Sequence, residues 1–310
     1  MNQTPRSALQ TWLLAIRPAT LPAAASGVVV GLGAARATGA AFRLDTALGC
    51  LAVALLLQIA ANLANDLSDF RRGADTPDRL GPTRVAAAGL VSLRQLEAAV
   101  ALVLVAAGGI GLWLATVGGP VLIALGAAAM VAALTYTGGP FPYGYHGLGE
   151  LFVFLFFGLL AVVGTTELQA GRVEPLHVLA ALPVGALSTA ILVVNNLRDV
   201  ATDRAAGKRT LAVRFGEGFA RAEYAACLVV AWATPIALLP IAWGQGAGAG
   251  VGPLVLLPFL ALPLAAPLWR TVRSDGDPRR LNPVLRGTAR LSLVFGLLFA
   301  VGLAAGPALS

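Results

Sequence analysis

Residues 44–72 read LDTALGCLAVALLLQIAANLANDLSDFRR. A run of apolar residues closes on Asn62, Asn65, Asp66 and Asp69, and Arg71 and Arg72 follow at once. A helix needs about 20 apolar residues to cross the hydrocarbon core of a bilayer. The stretch therefore predicts a transmembrane helix over about 44–66 that ends by delivering amides and carboxylates to the membrane surface. Their i, i+3, i+4, i+7 spacing places all four on one helical face.

On either side of this stretch, eight further ones predict spans, at about 12–35, 95–116, 118–137, 148–168, 175–198, 222–243, 252–270 and 286–307. Val117, Gly118, Gly119 and Pro120 predict a tight turn between the third and fourth of the nine. Of the 310 residues 57% are hydrophobic and 12% charged, against about 45–50% and about 25% in ordinary globular proteins. A soluble fold of this length cannot hide so much apolar surface. The expected fold class is all-α, a polytopic membrane protein of about nine transmembrane helices forming one domain over 1–310.

Charge placement orients the chain. With the N-terminus inside, 19 of the 22 Lys and Arg residues fall on inner segments, and only Arg36, Arg43 and Arg172 fall outside. That bias predicts a cytoplasmic N-terminus and an outer C-terminus in a bacterial inner membrane. It also accounts for the net charge of +7, so the expected surroundings are a lipid bilayer and no nucleic-acid partner is expected. Met1–Gln10 predicts no secretory signal peptide. Cys50 and Cys227 lie in apolar runs and His146 and His177 are isolated, which argues against a disulfide framework and a histidine-ligated metal.

A second polar run, Asn195-Asn196-Leu-Arg198-Asp199-Val-Ala-Thr-Asp203-Arg204-Ala-Ala-Gly207-Lys208, ends the sixth span. Asn195, Asp199 and Asp203 share a face at i+4 steps, and the charge rule puts this run on the same side as the first. Ionisable groups at membrane-helix ends are costly unless exposed, paired or used. One such run could be a solvated helix end paired with arginines; two with matching Asn and Asp spacing point to a site. Carboxylates that face one another repel, and Mg2+ is commonly held by one or two of them together with substrate phosphates. Arg71, Arg72, Arg79, Arg84, Lys208 and Arg209 supply positive charge for a diphosphate. No GxxxxGK[ST] loop is present, so a nucleotide is not indicated.

These residues resemble the UbiA superfamily of intramembrane prenyltransferases, over nearly the whole chain. The resemblance includes Arg17-Pro18-Ala-Thr-Leu-Pro22, the run Asn62 to Arg84, Thr135-Tyr136-Thr-Gly-Gly-Pro140, the following Tyr143-Gly-Tyr145, Gly147-Leu-Gly-Glu150, Asn195 to Gly216, and Leu281-Asn282-Pro283. The GPxR ending at Gly81–Arg84 and the tyrosine segment narrow it to the branch acting on 1,4-dihydroxy-2-naphthoate in menaquinone biosynthesis. The general pattern NDxxDxxxD would place its last carboxylate at position 73, which is Gly73 here, with Asp75 two residues on. Asp75 is then expected to meet the metal directly or through water, and Asp78 remains open.

The resemblance implies a Mg2+-dependent enzyme that moves a polyprenyl group from an allylic polyprenyl diphosphate to 1,4-dihydroxy-2-naphthoate, with decarboxylation. It implies Asp66, Asp69, Asp75, Asp199 and Asp203 as metal residues and Asn62, Asn65 and Asn195 as substrate contacts. Arg79, Arg84 and Lys208 are the expected diphosphate contacts. Tyr136, Tyr143 and Tyr145 would shield the allylic cation and orient the acceptor, or else form an interfacial aromatic belt. Arg17 either positions the acceptor carboxylate or anchors the first helix. Other acceptors, such as 4-hydroxybenzoate or homogentisate, form the alternative within the superfamily. A transporter would place its charges near the bilayer midplane, and a phosphatidyl-transfer enzyme would carry a DGxxAR run that is absent here.

Overall fold

The computed structural model describes residues 7–74, 79–244, 251–274 and 276–306, and among them every regular element is helical. The helices are α1 (Ala8–Ile16), α2 (Leu21–Ala37), α3 (Leu44–Arg71), α4 (Leu93–Gly118) and α5 (Val121–Thr135). They continue as α6 (Gly149–Ala170), α7 (Pro175–Arg198), the short α8 (Val200–Ala205) and α9 (Leu211–Phe215), then α10 (Glu217–Gly244), α11 (Pro253–Arg273) and α12 (Leu281–Ala305). Counting α1 and α2 as one, eight helices among the described residues are long and apolar enough to cross a membrane, and α5, apolar but only 15 residues long, lies where the remaining span is expected. Each corresponds to one expected span, so the chain is an integral membrane protein of the expected class.

The first span is not continuous. Arg17, between α1 and α2, is the one non-glycine residue with a positive φ, 55°, among those described. The following Pro18 disfavours the right-handed helical conformation at position 17, and a 3-10 turn over Pro18–Thr20 restarts the chain into α2. The break exposes helix-end carbonyls that need partners. Asn62 supplies one, its Nδ2 donating to the Ile16 carbonyl at 2.8 Å and to Thr20 Oγ1 at 3.0 Å.

The most buried span is α7. Around it Val30 and Ala34 of α2, Val162 of α6, Val184 and Leu187 of α7, and Phe295, Phe299 and Leu303 of α12 form the largest core cluster. Lipid tails are as apolar as these side chains, so association rests on close packing rather than on escape from water. Gly158 of α6 shows how close: a Cβ there would stand 2.5 Å from the Gly185 Cα of α7. On the other side of the bundle, α3, α4 and α5 pack with less burial and leave a cavity between themselves and α2 and α6.

Candidate functional site

That cavity has a volume of about 380 Å³ and runs between α2, α3, α4, α5, α6 and α7. Along α3 its lining extends from Cys50 to Asp69, roughly 28 Å of helix at 1.5 Å per residue. One end is polar, with Arg17, Asn62, Asn65, Asp69, Arg79, Arg84, Asn195, Asp199, Asp203 and Lys208 in its wall. The rest is largely apolar and includes Leu114, Leu122 and Leu168 in its wall. Both acidic runs thus open onto one space, as the charge placement predicts.

Each run ends where a glycine turns the chain. Gly73 has φ +67° and Gly207 has φ +72°, a left-handed conformation in which helices commonly stop and which favours glycine. This gives a physical reason for the missing carboxylate at position 73: α3 ends there, and a side chain would be strained. Asp75 and Asp78 lie outside the described residues.

The acids of the polar end are held by cations. Asp69 Oδ2 accepts from Arg84 Nη2 at 2.6 Å, both side chains being buried. Asp199 accepts from Arg198 Nε at 2.8 Å and Nη2 at 2.5 Å. Lys208 Nζ stands 3.5 Å from Asp203 Oδ1. Asp203 is 8% exposed, and its Oδ2 is buried without a hydrogen-bond partner. Burial pushes the Asp203 carboxyl up to about 6, against the pull of Lys208 and with the help of Asp199.

The tyrosines turn inward, so the aromatic-belt alternative does not describe them. Tyr136, Tyr143 and Tyr145 all line the cavity. Tyr143 donates to the Ala132 carbonyl at 3.0 Å, stacks on Phe152 with centroids 4.1 Å apart, and meets Tyr136 edge-on at 5.4 Å. Tyr145 donates to Asp69 Oδ1 at 3.4 Å. Lys208 Nζ lies 5.8 Å from the Tyr136 ring centre and 5.9 Å from that of Tyr145, within range of cation–π attraction.

Asp66 stands apart. It is buried at 1% exposure but does not line the cavity; its oxygens accept the backbone N–H groups of Val85 and Ala86 at 3.0 and 3.1 Å. Arg198, Asn282 and Thr137 bind the site together without having been assigned a role there, and Arg72, expected only as a source of positive charge, helps to hold its wall. Arg198 also donates to Asn195 Oδ1 and to Asn282 Oδ1, and Arg72 donates to the Thr137 and Gly139 carbonyls. Thr137 in turn donates to Asn65 Oδ1 at 3.0 Å. The sequence signals for Asn282 are its place in the Leu281-Asn282-Pro283 stretch of the resemblance and its position before Pro283 at the start of a helix beside the basic end.

Mg2+ is the metal such donors suit. Among the described residues no three acidic, histidine or cysteine side chains converge into a ready metal cage. Mg2+ needs no such cage, being held by one or two carboxylates with phosphates and water. The unpartnered Asp203 oxygen, with Asp199 and Asp69 in the same cavity wall, fits that mode.

Comparison with known proteins agrees in family and fold. Residues 25–286 match the UbiA prenyltransferase family. The chain is 43% identical to 1,4-dihydroxy-2-naphthoate octaprenyltransferase of Mycobacterium tuberculosis, over 95% of this chain and 97% of that one. It is 38% identical to the protein of that name from Escherichia coli, over 98% of both. In three dimensions it resembles a UbiA homolog from Archaeoglobus fulgidus solved with GPP and Mg2+, with TM-score 0.64, 17% identity, and coverage of 95% of this chain and 99% of that one.

Proposed function

The chain belongs to the UbiA prenyltransferase family, and on that premise we propose that it transfers a polyprenyl group from an allylic diphosphate to 1,4-dihydroxy-2-naphthoate. The observation that carries this reading is the two-part cavity, whose charged end suits a diphosphate and whose apolar body suits a long prenyl chain. The relatives from Mycobacterium tuberculosis and Escherichia coli, matched over nearly their full length, support the naphthoate as acceptor. The predominance of basic residues on the segments at the polar end supports placing that end at the cytoplasmic face of the cell membrane.

Asp69, Asp199 and Asp203, with Asn65 and Asn195, would hold Mg2+ carried by the diphosphate, and Asn62 supports the same wall. Bound there, the metal supplies positive charge to the diphosphate as it leaves. Arg84, Arg79 and Lys208 add fixed positive charge at the same place. The allylic C–O bond breaks, and its electron pair leaves with the diphosphate. Tyr136, Tyr143 and Tyr145 then present ring faces to the allylic cation and keep water from it.

The ring carbon that bears the carboxylate forms the new C–C bond. Carbon dioxide departs, and the electron pair of the broken C–C bond restores the aromatic ring. Arg17 is placed to orient that carboxylate: it lines the cavity in a strained backbone conformation, and its Nη2 is buried without a hydrogen-bond partner. Strain of this kind collects at functional positions.

The test is an acceptor panel with purified protein, a labelled prenyl diphosphate and Mg2+. Product forms with 1,4-dihydroxy-2-naphthoate and stops in EDTA. Turnover with 4-hydroxybenzoate and none with the naphthoate would refute the acceptor; full activity in EDTA would refute the metal.

A further inference from the structure

We propose that Asp66 and Asn282 are positioning residues, which hold the segment 79–90 so that Arg79 and Arg84 face the cavity. The inference rests on the diphosphate reading above. Asp66 is buried away from the cavity, and its two oxygens accept consecutive backbone N–H groups, Val85 and Ala86, at 3.0 and 3.1 Å. Those amides open a helical turn, closed by Ala88 N–H to the Arg84 carbonyl and Leu90 N–H to the Val85 carbonyl. A carboxylate at the start of such a turn satisfies its free donors. Arg84, the residue before Val85, is thereby set against Asp69 at 2.6 Å in the cavity wall.

The other end of the segment is held from a different direction. Asn282 of α12 donates through Nδ2 to the Leu80 carbonyl at 2.9 Å, and its Oδ1 accepts from Arg198 Nη1 at 2.9 Å. Arg198 is 2% exposed, and its remaining bonds go to Asn195 and Asp199. Fit is close at this joint, since a Cβ on Gly81 would stand 2.9 Å from Arg198 Nη2. Asn282 and Arg198 thus tie the segment after the first acidic run to the second acidic run. Arg79 and Arg84 are the cavity-lining residues of the segment, and the two anchors lie at Leu80 and at Val85–Ala86, beside them.

Two variants of the full chain, purified in detergent, test this. Asn282→Asp keeps an acceptor for Arg198 and loses the donor to Leu80; Asp66→Asn keeps the shape and loses one acceptor. Binding of inorganic pyrophosphate in Mg2+ is measured by calorimetry, and turnover with a prenyl diphosphate by its kcat and KM. Loss of a buried hydrogen bond should weaken pyrophosphate binding and raise KM about tenfold. Binding stoichiometry, kcat and the Mg2+ concentration at half-maximal rate should stay at wild-type levels, whereas Asp203→Asn should raise that Mg2+ concentration. If Asp66→Asn fails to fold, Asn282→Asp alone decides the outcome. Wild-type pyrophosphate affinity in Asn282→Asp, a raised Mg2+ requirement in Asp66→Asn, or a fall in stoichiometry at unchanged affinity would overturn the proposal. Wild-type protein that binds no pyrophosphate in Mg2+ would overturn the diphosphate reading and this inference with it.

Discussion

Asp203 carries two demands that pull apart: it is buried, which favours the protonated form, and it lies beside Lys208, which favours the charged one. Under the proposed reading, a divalent cation bound with the diphosphate would reconcile them by supplying positive charge beside the unpartnered Oδ2. Replacing it with Asn removes that charge and keeps the shape, so Asp203→Asn should lower kcat by about two orders of magnitude, the scale of one lost electrostatic contact at a reacting centre. Rates measured across a Mg2+ titration check this, and a wild-type rate at every concentration would contradict it. Arg17 is proposed for the other substrate, the carboxylated acceptor. Arg17→Ala should raise the KM of the carboxylated acceptor by about tenfold to a hundredfold, the scale of a lost charged hydrogen bond. The KM of the prenyl diphosphate should stay near its wild-type value, and equal changes in both would contradict the assignment.

Among the elements, the crossing of α6 over α7 depends on Gly158, where a side chain would meet Gly185 backbone at 2.5 Å. Gly158→Val should destabilise the bundle by about 1–3 kcal/mol, the usual range for overpacking, seen as a lower melting temperature in detergent. The spans and their shared polar end were legible from hydropathy, charge and the Asn/Asp spacing. The break at Arg17 was not, because hydropathy does not register the local constraint of Pro18. Nor was the separate role of Asp66. At about 100° per residue Asp66 lies roughly 60° around α3 from Asp69, so one polar face meets two neighbours: Asp69 the cavity, Asp66 the 84–90 turn. Spacing finds the face; packing decides which neighbour each residue meets. Arg198 and Asn282 lie 84 positions apart, a distance over which no local pattern connects them.

At the scale of the molecule, one cavity joins a charged end to a largely apolar space, the two together running along roughly 28 Å of α3. The depth of that space should set the longest prenyl chain accepted. Gly126 lines it, and a Cβ there meets nothing within 4 Å, so a side chain can enter the cavity without displacing a helix. Gly126→Phe should retain transfer from short prenyl diphosphates and lose it from long ones, compared by rate across a donor series. Under the proposed function, this one cavity couples prenyl transfer to loss of the acceptor's carboxylate. Purified protein in lipid nanodiscs, given a prenyl diphosphate, Mg2+ and 1,4-dihydroxy-2-naphthoate labelled in its carboxyl group, measures that directly. One labelled carbon dioxide should be released for each prenylated product formed; prenylated product that keeps the label would contradict this coupling.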